Sequence, residues 1–95
     1  MKTRVLVSAK DRADALTEVA REIQSAQAKH GHNGFITPHE ALGVISEEWD
    51  EFKEAVHGND TNRQIKELIQ VAAMATYAVA SIMAAGAKWN EGRND

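Results

Sequence analysis

Residues 62–85 read NRQIKELIQVAAMATYAVASIMAA, and this run governs the architecture that the rest of the chain can adopt. At about 100° per residue, its large apolar side chains point in nearly all directions, with alanines between them. A helix that is apolar all round has to be covered all round, and two other helices in a 95-residue chain do not suffice. The run therefore predicts a helix that is covered by a second copy of the chain, in a homodimer or homotetramer.

Two further helices precede this run. Ser8, with Asp11 three residues on, is a typical N-cap, and apolar residues then recur at the helical period as far as Lys29. The segment 30–34 contains two glycines and an asparagine, and is expected to be a loop. Thr37-Pro38-His39-Glu40 combines a capping threonine, a proline at the first helical position and a glutamate that completes a capping box. The second helix should run from there to about residue 57.

The expected fold is all-α: a three-helix subunit that forms a helical bundle by homo-oligomerisation, with residues 1–95 as one domain. The third helix is expected from about Asn62 to Ala85, with Gly86 as its stop. From Lys88 onward the chain is polar apart from Trp89, which predicts a fraying tail. No segment has a strong strand pattern.

The charge distribution limits the possible partners. The net charge is −3, and residues 38–57 alone carry six acidic groups and one lysine, while the remainder is near neutral. This pattern argues against electrostatic binding to nucleic acid and favours a local cation site or a solvated acidic face. Residues 68–87 are long enough to span a bilayer but are interrupted by polar side chains, so they are expected to form a buried soluble helix without membrane contact. The absence of cysteine excludes disulfides and fits a cytoplasmic protein.

One carboxylate lies inside the apolar arc of the second helix. The centre of that arc is formed by Leu42, Ile45, Trp49, Phe52 and Val56, which makes Trp49 an expected core residue. Ala41, Val44 and Ala55 extend the arc on one side, Glu48 falls among them, and Glu51 lies at the edge. A carboxylate in such a position is costly unless it is paired or binds a cation.

Four oxygen-bearing side chains can converge between the second and third helices. Glu48 and Glu51 are three residues apart on one helix, and Glu67 and Gln70 are three apart on a helix that should run antiparallel to it. Hard cations such as Mg²⁺ prefer oxygen ligands of this kind. The alternative, a solvated acidic face, fits Glu47 and its outward neighbours Asp50 and Glu54 best.

These residues resemble the signature of the MazG-like all-α NTP pyrophosphohydrolases, EExxE followed after a short interval by ExxD. The matching residues are Glu47-Glu48-x-x-Glu51 and Glu67-x-x-Gln70, and the resemblance covers about residues 38–85. It implies a site for Mg²⁺, with Mn²⁺ as the alternative ion, held by Glu48, Glu51, Glu67 and Gln70. Gln70 departs from the usual aspartate, and its carbonyl is an uncharged ligand.

The resemblance also implies an activity. A nucleoside triphosphate would be hydrolysed between its α- and β-phosphates by metal-assisted attack of water, which releases a monophosphate and pyrophosphate. Glu47, beside the ligands, is the candidate for orienting or deprotonating that water.

Other residues are weaker candidates for contact with the nucleotide. Lys53, Arg63 and Lys66 are the basic groups nearest to the site in sequence, with surface solvation as the alternative. His39 could approach the acidic residues, and Trp89 could stack on a base or dock the tail. The loop that contains His30, His32, Asn33 and Phe35 could contact a base, or be a plain loop in which Asn33 caps.

Two other functions fit parts of the same sequence. A non-catalytic helical dimer, acting as a binding or regulatory module, would have the same core and keep the acids as solvated faces. Glu54-x-x-His57 resembles half of a di-iron carboxylate motif, whose second half a symmetric dimer would have to supply.

Overall fold

The computed structural model describes the backbone of residues 2–94 and the side chains of residues 2–91. Three α-helices, α1 (Ala9–His30), α2 (Pro38–His57) and α3 (Thr61–Ala85), are followed by a 3₁₀ helix at Gly86–Asn94. No strand occurs within the described part of the chain. The predicted all-α class and the three predicted helices are therefore confirmed.

The predicted start of α1 is confirmed in detail. Ser8 Oγ accepts the backbone N–H of Asp11 at 3.0 Å, and Asp11 Oδ2 accepts the backbone N–H of Ser8 at 3.2 Å. These reciprocal bonds satisfy two N–H groups that a helix start leaves without partners. The helix ends at His30, and Gly31 follows with a φ of 90°, a conformation that glycine adopts without steric cost.

The start of α2 differs from the predicted capping box in one bond. Thr37 Oγ1 accepts the N–H of Glu40 at 3.2 Å, as expected. The Glu40 carboxylate, however, accepts the N–H of Ile36 at 2.9 Å instead of the N–H of Thr37. Glu40 therefore reaches one residue further back than a capping box requires, and it ties the end of the preceding loop to α2.

A tight turn makes α2 and α3 an antiparallel pair. Asn59 adopts a positive φ of 54°, and Asp60 caps α3 by accepting the N–H of Arg63 at 3.0 Å. Gln64 Nε2 donates to the carbonyl of Ala55, so residues on either side of the turn lie opposite one another. This arrangement brings the acidic residues of α2 alongside the first half of α3.

The tail after α3 is ordered as a helix, in contrast to the predicted fraying. Gly86, with a φ of 58°, ends α3, and the 3₁₀ helix that follows packs against α3. Trp89 is buried, which is the docked alternative for this side chain.

The chain by itself buries few large side chains. Among the residues whose side chains are described, the buried apolar ones are three alanines and one tryptophan. The accessible surface is 7520 Å² against about 5400 Å² for a compact monomer of this mass. Its radius of gyration is 15.7 Å, compared with about 12 Å for a compact domain of this length. Trp49, predicted to be core, is 46% exposed, so that prediction is wrong for the single chain. The large exposed apolar residues within the helices are Leu16, Leu42, Trp49, Val56, Ile65, Leu68, Val79, Ile82 and Met83.

The other helices of the chain leave much of the third helix uncovered. The sequence predicts this, because two helices are too few to surround a helix that is apolar on all sides. The helical segment Thr61–Glu91 has the length and apolar composition of a membrane span, and most of it is exposed. A single helix of this kind is weak evidence of a membrane, because core helices of soluble proteins share these properties.

Candidate metal centre

The face of α2 that packs against α3 is the small-residue edge of its apolar arc. Ala41 and Ala55 are buried, and Glu48 lies between them along the helix. At the centre of the arc, Leu42 and Trp49 remain exposed, while Ile45 and Phe52 are half-buried. Because alanines allow close approach of the two helices, this orientation directs Glu48 into the contact between them.

Three carboxylates meet at this contact. Glu48 and Glu51 from α2 and Glu67 from α3 each place one oxygen within 4.8 Å of the others. Glu67 is only 5% exposed, while Glu48 and Glu51 are half-buried. The predicted convergence of these three side chains is therefore confirmed, and together they form a cluster that could hold a metal ion.

Two oxygen atoms of the cluster are buried without a hydrogen-bond partner. They are Oε2 of Glu48 and Oε2 of Glu67. The nearest cation to Glu67 is Arg63, whose Nε lies 3.9 Å from the other oxygen, Oε1, and whose Nη2 pairs with Glu54 at 3.1 Å. A buried carboxylate oxygen without a partner is unfavourable, and Arg63 reaches only Oε1 of Glu67, so a positive partner for the two Oε2 atoms would stabilise the cluster.

The electrostatics of the cluster oppose ionisation of Glu48 and Glu67. Burial is the main cause that raises the pKa of Glu48, and repulsion by Glu51, Glu67 and Glu47 adds to it. Burial also raises the pKa of Glu67, followed by its close contact with Glu51, while Arg63 and Lys66 lower it in part. Without a cation, Glu48 and Glu67 therefore retain protons more tightly than exposed glutamates do.

The donor set fits a hard divalent cation. All three groups offer carboxylate oxygens, the ligands that Mg²⁺ and Mn²⁺ prefer. Opposite ligands of an octahedral Mg²⁺ ion are about 4 Å apart. The three carboxylate oxygens lie within 4.8 Å of one another, which is close to that separation.

Gln70, the fourth predicted ligand, contacts a residue that the sequence reasoning missed. Its Nε2 donates to Oε1 of Glu22 on α1 at 3.5 Å, the long end of the hydrogen-bond range. Both side chains are half-buried. The packing of α1 on α3 places Glu22 at this position. The one feature of the sequence that could have indicated it is that Glu22 lies next to the apolar Ile23 on the inward side of α1.

The remaining predicted residues surround the cluster at different positions. Glu47 is exposed on α2, near enough to Glu48 to contribute to its raised pKa. Arg63 and Lys66 act electrostatically on Glu67. Lys53 pairs with Asp50 at 3.2 Å on the outer flank of α2. His39 is exposed in the first turn of α2, and Trp89 is packed against α3 at the other end of that helix.

A cavity of about 500 Å³ lies one helical turn from the cluster. Its walls include Val44, which precedes Glu48 by one turn, and Met74, which follows Gln70 by one turn. The loop between α1 and α2 forms another wall and is fixed to α3, since Tyr77 donates to the carbonyl of Asn33 at 2.7 Å. The loop and helix-end residues that line the cavity are His30, Gly31, Asn33, Gly34 and Phe35.

The half-motif for di-iron binding is arranged differently from a metal site. The Glu54 side chain is 69% exposed and pairs with Arg63 across the α2–α3 turn. His57 is exposed at the end of α2. Among the residues that the structure describes, the one group of three or more potential metal ligands is Glu48, Glu51 and Glu67.

Comparisons of the chain with protein-family models, curated proteins and solved structures gave no match.

Proposed function

We propose that the chain is a Mg²⁺-dependent nucleoside-triphosphate pyrophosphohydrolase, which converts a triphosphate to a monophosphate and pyrophosphate. The observation that carries the proposal is the cluster of Glu48, Glu51 and Glu67, in which two buried oxygens lack partners. A cation that compensates these charges also binds phosphate, because Mg²⁺ retains coordination positions for substrate oxygens. The resemblance to the MazG-like motif points to the same class of reaction.

In this proposal the residues of the site have separate roles. Glu48, Glu51 and Glu67 hold the cation, and Gln70 takes part through its amide. When bound, the cation supplies charge neutralisation to the phosphates and lowers the pKa of water. Glu47, exposed beside the cluster, accepts the proton from the attacking water.

The surroundings of the cluster fit the two ends of a nucleotide. Arg63 and Lys66 lie on the α3 side of the cluster, where they would contact the phosphates. The cavity near Val44 and Met74 lies on the other side and would take the nucleoside. Phe35 contributes an aromatic ring there, held edge-on against Tyr77 with ring centres 5.7 Å apart.

We further infer that the active species is a homo-oligomer. The accessible surface of the single chain is about 2000 Å² larger than that of a compact monomer of its mass. The exposed apolar side chains of its helices include Trp49, Leu68 and Ile82. Stable interfaces bury about 800 Å² on each partner, so the excess is large enough for one or more of them. A second copy, which presents the same apolar surface, is the simplest partner.

The test is an assay of purified protein against a panel of nucleoside triphosphates with Mg²⁺, in which pyrophosphate and the monophosphate are both measured. Equal amounts of the two products are expected from at least one substrate, and chelation of Mg²⁺ should abolish them. Glu48→Gln should lose at least 100-fold in rate, whereas Asp50→Asn, on the exposed flank of the same helix, should retain activity. No hydrolysis of any triphosphate would instead favour the non-catalytic helical dimer.

A further inference from the structure

Gln70 forms a polar link between α3 and α1. The 3.5 Å contact from Gln70 Nε2 to Glu22 Oε1 is, among the described residues, the one side-chain hydrogen bond that joins these two helices. No residue of α1 is buried. The helix therefore depends on few contacts for its position, and this one lies next to the carboxylate cluster.

The bond to Glu22 fixes which atom of the Gln70 amide faces the carboxylate cluster. Gln70 follows Glu67 by three residues, so the two side chains leave the same face of α3. An amide offers one nitrogen donor group and one carbonyl acceptor. Because Nε2 is directed to Glu22, the carbonyl oxygen is the amide atom left to interact with a cation.

We propose that Glu22 is a positioning residue of the metal centre, which orients the amide of Gln70 and supplies, from α1, the negative charge that position 70 lacks. This inference rests on the proposed function, since it assumes that the cluster binds a cation. Glu22 stands outside the group of three oxygens that lie within 4.8 Å of one another, so it acts through Gln70 and not as a ligand of the same ion. Carboxylates that orient a ligand in this way commonly affect metal affinity by 10-fold or more.

The proposal makes residues 22 and 70 interdependent. A carboxylate at position 70, as in Gln70→Glu or Gln70→Asp, would face the carboxylate of Glu22 and be repelled by it. The same carboxylate should be tolerated when residue 22 is glutamine, because the donor and acceptor are then exchanged and the total charge is unchanged. Wild type, Gln70→Glu, Glu22→Gln and the double variant therefore form a closed cycle.

The experiment measures thermal unfolding of these four proteins in chelator and in a titration with Mg²⁺ alone. Gln70→Glu should melt lower than wild type in chelator, and Glu22→Gln should bind Mg²⁺ about 10-fold more weakly. The double variant should recover both properties. Gln24→Glu, an exposed position two residues along α1, adds the same charge as Gln70→Glu and should change neither.

Two results separate the possible failures. If the double variant shows only the sum of the single effects, Glu22 and Gln70 are not coupled, and the inference is overturned. If the cycle shows coupling in chelator but wild type does not respond to Mg²⁺, the metal centre and the proposed function are wrong. The pair would then be a structural tie between α1 and α3 only.

Discussion

The two faces of α3 have the reverse of the usual distribution of polarity. The face that packs inside the chain carries Glu67, Gln70, Tyr77 and Ser81, while the face that points outward carries large apolar residues such as Val79 and Met83. Glu67 and Ser81 are 5% and 6% exposed, whereas Met83 is 80% exposed. In a monomeric domain the apolar residues would be expected inside and the polar ones outside.

This difference shows that the two faces of α3 are stabilised in different ways, the inner face by polar partners and the outer face by removal from water. The inner face is stabilised by specific bonds, and near Glu67 these bonds are incomplete, because a buried carboxylate oxygen has no partner. The outer face needs only to be removed from water. We therefore attribute the inner face to cation and substrate binding, and the outer face to contact with a second copy of the chain.

The largest effect on stability and assembly is expected from a charge introduced on the outer face of α3. Val79 is 55% exposed in the single chain, and in a monomer Val79→Glu would change the free energy of unfolding by no more than about 0.5 kcal/mol. If a second copy covers this residue, the buried charge should cost about 3 kcal/mol or more and dissociate the oligomer. Sedimentation and urea unfolding at matched protein concentrations measure both quantities.

Asn62→Glu provides the control for that variant. It adds the same charge to the exposed first turn of α3, where a negative charge interacts favourably with the helix dipole. It should leave the oligomer intact. A folded wild-type monomer at micromolar concentration, or solubility only in detergent, would each contradict the assignment of the outer face to a second copy.

A smaller effect is expected from a hydroxyl on the inner face. Ser81 Oγ accepts the N–H of Phe35 at 3.0 Å and donates to the carbonyl of Tyr77 at 2.8 Å. Ser81→Ala should destabilise the protein by about 1–3 kcal/mol, since it leaves the N–H of Phe35 without its acceptor in a partly buried position. Urea unfolding measures this loss.

Thr76→Ala is the matched control for Ser81→Ala. Thr76 Oγ1 donates to the carbonyl of Ala72 at 2.7 Å, the same kind of bond within the helix, but the side chain is exposed. Water can replace the lost bond there, so the change should stay within about 0.5 kcal/mol. Equal losses for the two variants would show that the bond from Phe35 contributes nothing.

The smallest effect is expected from pH. The raised pKa values of Glu48 and Glu67 mean that the folded state binds protons more tightly than the unfolded state. In chelator these two groups should therefore make the protein more stable as the pH falls through their folded pKa values toward the ordinary pKa of glutamate. With saturating Mg²⁺ the dependence should reverse, because protons compete with the cation. Glu67→Gln should reduce both slopes, and unchanged slopes would contradict the roles given to this carboxylate.

Local sequence signals predicted the helices and part of the site. The caps at Ser8 and Thr37 follow from side chains that bond to nearby backbone, so their prediction needs no tertiary information. Glu48, Glu51 and Glu67 were placed together by helical spacing and a short turn. These relations all act within one helix or between neighbours in the chain.

Features that depend on packing were not predictable in the same way. The apolar arc of α2 indicated Trp49 as core, but the close alanine contact directs that residue outward in the single chain. The partner of Gln70 lies on α1, 48 residues away, and no periodicity specifies that contact. The burial of Trp89 in the tail depends on packing, and the polar composition around this residue does not specify it.

The central claim, that the buried carboxylates of the inner face hold a divalent cation, is tested most directly by thermal unfolding of wild type and Glu67→Gln with Mg²⁺ and with chelator. At a Mg²⁺ concentration ten times its Kd, wild type should gain about 1.4 kcal/mol, which corresponds to a rise in melting temperature of about 5–10 °C. Glu67→Gln should be at least as stable as wild type in chelator, because it removes a buried carboxylate that is repelled by Glu51, and should gain little from Mg²⁺. A wild-type melting temperature that Mg²⁺ leaves unchanged, or an equal rise in both proteins, would contradict the claim.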